Sequence, residues 1–308
     1  MNTEPIKHHY IPQFLLKNFC FDDKGHVYFY DKVSKQISVK STKDVFMTSR
    51  LYEDTINNPD DLMRIEKDFS KYENEASQVI KSFLTASSEI TIPNKKAEML
   101  KLFVAIMRLR SNMSSEFFKH ELSENSKEFY SKYQPDGNFD DFWKRNLALI
   151  ISCRSWDEVW KNDRIDLPFQ AFMKRDAYGV AGMDFLIIEK RGKTDFVLSD
   201  SYPTVIYEQI TKENKSFEIP MFDFLPLSPN RMLMFISKSV QLSNKSVTHF
   251  DIDFLKPPKK KYETNEVIIK VKKIYENDVN YINSEMIVNN TEGFIFNNKE
   301  RLGVLLQP

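Results

Sequence analysis

Seven residues in this chain have the types to do chemistry: His8, His9, Glu66, Glu73, Arg108, Arg110 and Asp200. Imidazole is suited to proton transfer near neutral pH and is the commonest metal ligand. Neighbouring side chains of an extended segment point to opposite sides, so at most one of His8 and His9 enters a given site directly. The competing reading packs His9 under the Pro12–Phe14 turn, bonded to a backbone carbonyl. Glu66 and Glu73 are seven residues apart, which places them on one helical face about 10 Å apart along the axis. That is wide for two carboxylates acting on one bond or sharing one metal ion. Both flank an apolar stripe, where Glu66 reads as a solvated helix edge and Glu73 stands evenly between that and a functional role.

Arg108 and Arg110 interrupt a helix that otherwise reads as buried, its run from Met99 to Leu109 being apolar nearly all round. A buried guanidinium needs a carboxylate or phosphate, because an unpaired buried charge costs several kcal/mol. Glu73 and Asp200 are the obvious internal partners, and a ligand phosphate suits the planar fork equally well. Asp200 ends a strand-like run just before a turn. That is a good place for a metal- or ligand-binding carboxylate, and equally an ordinary place for a turn-forming Asp.

The elements that must position these groups can be read from hydrophobic period. His26–Tyr30 and Ile37–Lys40 are β-branched and aromatic with a polar turn between them, and predict a hairpin. From about Asp60, Leu62, Ile65, Phe69, Tyr72, Ala76, Val79 and Phe83 recur at helical spacing, with Pro59, Asp60 and Asp61 as the start signal. A second, buried helix is predicted over about 96–118 and a third over about 139–161. Beyond Leu167 the pattern changes to strands: a hairpin of 184–189 with 195–199 around Arg191-Gly192, then 204–207, 217–224, 232–236 and 267–271. A last helix at about 278–291 precedes the apolar Phe294-Ile295-Phe296. Helices grouped in the middle and strands outside predict an α+β fold. In it a central helical bundle (about 60–160) packs with an N-terminal hairpin and C-terminal antiparallel strands. The chain reads as one domain, 1–308, divisible into 1–55, 56–165 and 166–308.

Composition narrows the function classes. The 44 basic and 44 acidic residues give a net charge of zero, which argues against general coating of nucleic acid. A local basic cluster remains at Lys256-Pro257-Pro258-Lys259-Lys260-Lys261 with Lys270, Lys272 and Lys273. Lys259, Lys260, Lys261, Lys270 and Lys272 are its candidate nucleic-acid contacts, with a solvated loop as the default. Met1–His9 has no apolar signal region, and no apolar run approaches the roughly 18 residues of a spanning helix. Cys20 and Cys153 read as two buried thiols, so a cytoplasmic location without membrane contact is expected. No phosphate-binding glycine loop, dinucleotide fingerprint, paired-cysteine zinc motif or nucleophile elbow is present. Asp184, Glu189 and Lys190 follow the order of a metal-dependent nuclease strand, but Phe185–Ile188 reads simply as a buried strand.

The opening His8-His9-Tyr10-Ile11-Pro12-Gln13-Phe14 resembles the hallmark of a large bacterial and fungal family, domain of unknown function 4238. Later elements are similar in order. They are the spaced Glu66 and Glu73, the helix ending Met107-Arg108-Leu109-Arg110, Leu198-Ser199-Asp200 before Pro203, and Pro226-Leu227-Ser228-Pro229 before a strand. The family pattern has one residue between the Asp and the Pro, and here there are two. The resemblance implies positions to test without naming a reaction.

Two functions fit these residues. One is a phosphodiester hydrolase of nuclease type, acting in defence or stress. His8 or His9 would be its base or metal ligand, Glu73 and Asp200 would complete an acid/base set or a divalent-metal site with His9, and Arg108 and Arg110 would hold phosphate. The other is a non-catalytic ligand- or partner-binding module in which the same residues form a structural polar network. Oligomeric state is not readable from the sequence.

Overall fold

The computed structural model of the chain describes residues 7–174, 182–212, 215–237, 259–261 and 264–302. Its strands are β1 (Lys7–His9), β2 (His26–Asp31), β3 (Ile37–Ser41), β4 (Met47–Ser49), β5 (Glu89–Pro93), β6 (Asp184–Lys190), β7 (Leu198–Ser199), β8 (Thr204–Lys212), β9 (Lys215–Ser228), β10 (Arg231–Ile236), β11 (Lys259–Lys261), β12 (Glu266–Ile274) and β13 (Gly293–Phe296). Its helices are α1 (Gln13–Leu16), α2 (Arg64–Thr85), α3 (Asn94–Arg110), α4 (Asn112–Glu116), α5 (Glu124–Tyr130), α6 (Phe139–Ser152), α7 (Trp156–Lys161), α8 (Leu167–Lys174) and α9 (Glu276–Val288). The class is α+β, with α2, α3 and α6 packed together in the middle of the chain.

The largest sheet runs β11-β12-β6-β10-β9-β8, with β5 also pairing β12. Strand alternation divides its side chains between two cores. Phe185, Ile187, Leu233 and Phe235 join the core of α2, α3 and α6, whereas Leu186, Ile188, Met232 and Met234 pack with Val279, Ile282 and Met286 of α9. A second sheet, β3-β2-β13-β7, supplies Phe294 and Phe296 to that same far side. The N-terminal strand β1 pairs antiparallel with β4, with His8 opposite Thr48.

The β2–β3 hairpin forms as expected, with Tyr30 opposite Ile37. The expected hairpin of 184–189 with 195–199 does not form. β6 pairs with β10 and with β12, while β7 pairs with β13 in the other sheet. The backbone donors that such a hairpin needs go elsewhere: Asp195 N–H to the Arg301 carbonyl, Phe196 N–H to Pro229, and Val197 N–H to the Asn283 side chain. The C-terminal strands are antiparallel except for β6 with β12, which run parallel; the long stretch of chain between them makes that crossover feasible.

Two helices also end earlier than their apolar periods predict. α3 stops at Ser111, whose hydroxyl donates to the Arg108 carbonyl and accepts from Ser114 N–H, closing one helix and opening α4. α6 stops at an extended Cys153, and Ser155 caps α7 by accepting from Glu158 N–H.

Candidate functional site

Arg110 is the centre of the N-terminal motif. Its side chain is 1% exposed at the last position of α3. One guanidinium nitrogen donates to Glu73 on α2 and the other to the backbone carbonyl of His9 on β1. The plane lies 4.1 Å above the Phe69 ring, and the Tyr52 hydroxyl closes the arrangement by donating to the Arg110 carbonyl, 2.6 Å away. Burial disfavours the guanidinium charge, but Glu73, Tyr52 and Glu66 outweigh it and hold Arg110 more firmly protonated than usual. One arginine thereby ties β1, α2, α3 and the 50–53 turn together.

The two histidines face opposite ways, as neighbours in a strand must. His8 is buried, its ring stacked on Tyr52 at 5.5 Å, and its Nδ1 accepts the Tyr52 N–H at 2.9 Å. A neutral His8 therefore carries its proton on Nε2, which is buried without a hydrogen-bond partner among the described residues. Burial lowers the His8 pKa to about 4, with Arg110 and Lys144 adding to the shift and Glu53 opposing it. His9 turns the other way, and its Nε2 meets the Gln13 side-chain amide at 2.6 Å. The same amide donates to the Thr42 carbonyl at 2.7 Å. Burial lowers the His9 pKa as well, although the carbonyls of Thr42 and Lys43 support its charged form.

His9 lines a cleft of about 620 Å³ with Gln13, Lys17, Cys20, Lys24 and Lys43. Cys20 and Cys153 are both free thiols; Cys20 is half-buried and Cys153 buried, and burial raises the pKa of each.

The expected carboxylates separate. Glu73 is bonded to Arg110. Glu66, which reads from the sequence as a solvated edge, is drawn inward: its Oε2 is buried without a hydrogen-bond partner among the described residues, and burial raises its pKa against the pull of Arg110. Asp200 lies elsewhere, accepting from the Thr291 N–H and hydroxyl and from the Glu292 N–H. It thereby fastens the end of β7 to the approach of β13. Tyr10 connects the two regions electrostatically, because its phenol feels Glu292, Asp200 and Tyr52. Burial raises the pKa of Glu292, and Asp200 raises it further.

Arg108 is not part of the Arg110 cluster. Two residues along a helix are about 200° around its axis, and Arg108 pairs instead with Asp223 of β9. Asp223 is fully buried, and the cost of that burial raises its pKa despite the arginine. Asp200, an expected partner of these arginines, bonds neither, and Asp223 was missed because nothing in a strand sequence marks which carboxylate will meet a helix.

The metal set of His9, Glu73 and Asp200 is not assembled, since these side chains are held by Gln13, Arg110 and the 291–292 backbone respectively. Among the described residues no three His, Cys, Asp or Glu side chains converge as a metal site. In the basic cluster, β11 pairs Lys259 with Ile268, Lys260 with Val267 and Lys261 with Glu266, while Lys270 on β12 lies opposite Glu89 of β5. Acidic residues thus stand in register beside two of the lysines. Residues 256–258 lie outside the described residues. Among the described residues, no helix is long and apolar enough to cross a membrane.

No curated protein and no solved structure matches the chain. The family described as protein of unknown function, DUF4238, matches residues 7–301. With nearly its whole length matched, and with the opening motif anchored by the arginine at the end of α3, this chain belongs to the DUF4238 family.

Proposed function

We propose that this chain is a non-catalytic binding module whose N-terminal motif is a structural latch and whose ligand enters the cleft beside His9. The observation that carries this reading is the engagement of the motif's polar groups with one another. Arg110 is buried on Glu73 and the His9 carbonyl, and Asp200 is held by the Thr291 and Glu292 amides. A phosphate clamp or metal ligand needs free donors or lone pairs directed at a shared space, and these groups have protein partners in two separate places.

A second reading, a phosphodiester hydrolase of nuclease type, is favoured by one feature. His9 is a neutral imidazole at the edge of a cleft that also holds Lys17, Lys24 and Lys43. A base beside cationic side chains suits phosphoryl chemistry. Incubation with mixed RNA and DNA, in Mg²⁺, Mn²⁺ or EDTA, separates the two. The binding reading expects intact substrate in every condition. Cleavage by the wild type that disappears in a normally folded His9→Ala variant would establish the hydrolase instead.

A further inference from the structure

The cleft beside His9 has a charge pattern that the latch does not use. Three segments bring lysines to it: Lys17 from the single 3₁₀ turn after α1, Lys24 from the 22–25 turn, and Lys43 from the 3₁₀ turn after β3. All three are exposed, and among the described residues none is held in an ion pair. The nearby Lys7 behaves differently, being bonded to Asp44 at 2.6 Å. Two carboxylates also line the cleft, Asp22 and Asp23. Asp22 is already occupied, accepting from Lys24 N–H, His26 N–H and His26 Nδ1. Asp22 and Asp23 together oppose three ammonium groups, which leaves an excess of positive charge in the cleft.

The walls are built rather than incidental. Thr42 N–H donates to the Gly25 carbonyl at 2.9 Å, which joins the 22–25 turn to the turn after β3. Gly25 has φ +83°, a conformation that favours glycine, and this lets the turn come round. Ser41 accepts from Lys43 N–H, so its own proton is available to a ligand. The volume of about 620 Å³ is that of a small-molecule site.

We infer that this cleft binds a phosphate-bearing small molecule, with Lys17, Lys24 and Lys43 as the charge clamp and Ser41 as a hydroxyl donor; the inference rests on the reading of the chain as a binding module. A phosphate group carries up to about two negative charges and three strong acceptor oxygens, which matches three unpaired ammonium groups better than a single carboxylate would. A long single strand would instead need a basic groove that continues beyond the cleft. Here the Lys7–Asp44 pair neutralises the neighbouring lysine.

The test uses the full chain with four probes: pyrophosphate, AMP, adenosine and a twelve-residue oligoadenylate. Calorimetry reads affinity, and the His9 ring protons read the site by their titration in NMR. Expected are binding of pyrophosphate and AMP, no binding of adenosine, and an upward shift of the His9 titration when phosphate is present. Lys17→Glu/Lys43→Glu should weaken AMP binding at least tenfold, and Lys24→Glu alone should weaken it severalfold should the double variant fold poorly. Lys161→Glu, at a different cleft, should leave it unchanged. No binding of either phosphate probe, or binding that survives the charge reversals, overturns the inference. Oligoadenylate binding more than tenfold tighter than AMP, and lost in the same variants, also overturns it in favour of a nucleic-acid surface. Cleavage of the oligoadenylate that needs His9 would defeat the binding-module reading while leaving phosphate recognition by the lysines standing, so the two failures are distinct.

Discussion

Arg110 meets His9 through the backbone carbonyl of the histidine, not its imidazole. The contact thus depends on where β1 runs, while the His9 ring, bonded to Gln13, faces the cleft on the other side. The arginine is a support for the strand, and the strand is what presents the ring.

Loss of Arg110 should therefore act on stability first. Arg110→Ala leaves Glu73 without its cation and the His9 carbonyl without its donor, and breaking one side of a buried pair costs about 3–5 kcal/mol. Arg110→Lys keeps the charge but cannot reach both acceptors with one ammonium, and should recover only part of that loss. Urea unfolding followed by circular dichroism measures both, and an unchanged midpoint in Arg110→Ala would defeat the latch.

Stability should fall in acid partly through His8. Its folded pKa of about 4 lies below the ordinary 6.5, so between those values the unfolded chain binds more protons at this position and stability declines as pH falls. The contribution is complete above about pH 6.5 and exhausted below about pH 4, worth about 3 kcal/mol in all. Glu66 and Glu292, with raised pKa values, titrate with the opposite sign, so the comparison must be with His8→Asn. The difference in urea midpoint between the two proteins should shrink steadily from pH 7 to pH 4. A constant difference would show that His8 does not titrate in this way.

Asp200→Ala should lower stability without touching the cleft. It leaves two backbone donors and the Thr291 hydroxyl unpaired next to a buried strand, a loss of about 2–3 kcal/mol. Pyrophosphate affinity at a temperature where the variant remains folded should match the wild type. A parallel loss of affinity would place Asp200 in the binding machinery.

The Arg108–Asp223 pair offers a different signature. Arg108→Met alone strands a fully buried carboxylate and should destabilise by about 3 kcal/mol or more, whereas Arg108→Met with Asp223→Leu should restore most of it. A double-mutant cycle on unfolding free energies reads the coupling directly. Additive effects would mean that the two side chains do not support each other.

Gly293→Ala should be among the most damaging single-methyl changes in the chain. A Cβ there would lie 2.0 Å from the Tyr30 carbonyl oxygen, so β2 and β13 would have to part. A loss of several degrees in melting temperature is expected, and a wild-type melting curve would contradict the close approach.

Much of this arrangement was legible in the sequence because it depends on local period. The α2 stripe from Ile65 to Phe83 and the β2–β3 hairpin follow from spacing alone, and the need of Arg110 for a partner named Glu73 correctly. The apolar period carries the third helix on to about 161, and the break after α6 escapes it although Ser155 and Glu158 have the spacing of an N-terminal cap. What could not be read depends on contacts distant in sequence. Glu66 looks like a surface residue until the fold buries its carboxylate within reach of Arg110 and Tyr52. Asp223 sits in an ordinary strand, and only the crossing of β9 near α3 makes it the partner of Arg108. The failed hairpin at 191–195 has a proper glycine turn, but Arg301, Pro229 and Asn283 take the donors that its second strand would need.

The pairing of β2 with β13 joins Tyr28–Asp31 to Gly293–Phe296. During synthesis at about 5–20 residues per second, the early hairpin must therefore wait many seconds for the strand that completes its sheet. Arg110 is made far sooner than β13, so the opening motif has its anchor available while the sheet of β2 still lacks an inner strand. A nascent chain stopped short of Gly293 would keep the β2–β3 pairing but leave the other edge of Tyr28, Phe29 and Tyr30 open, a natural target for chaperones until β13 emerges.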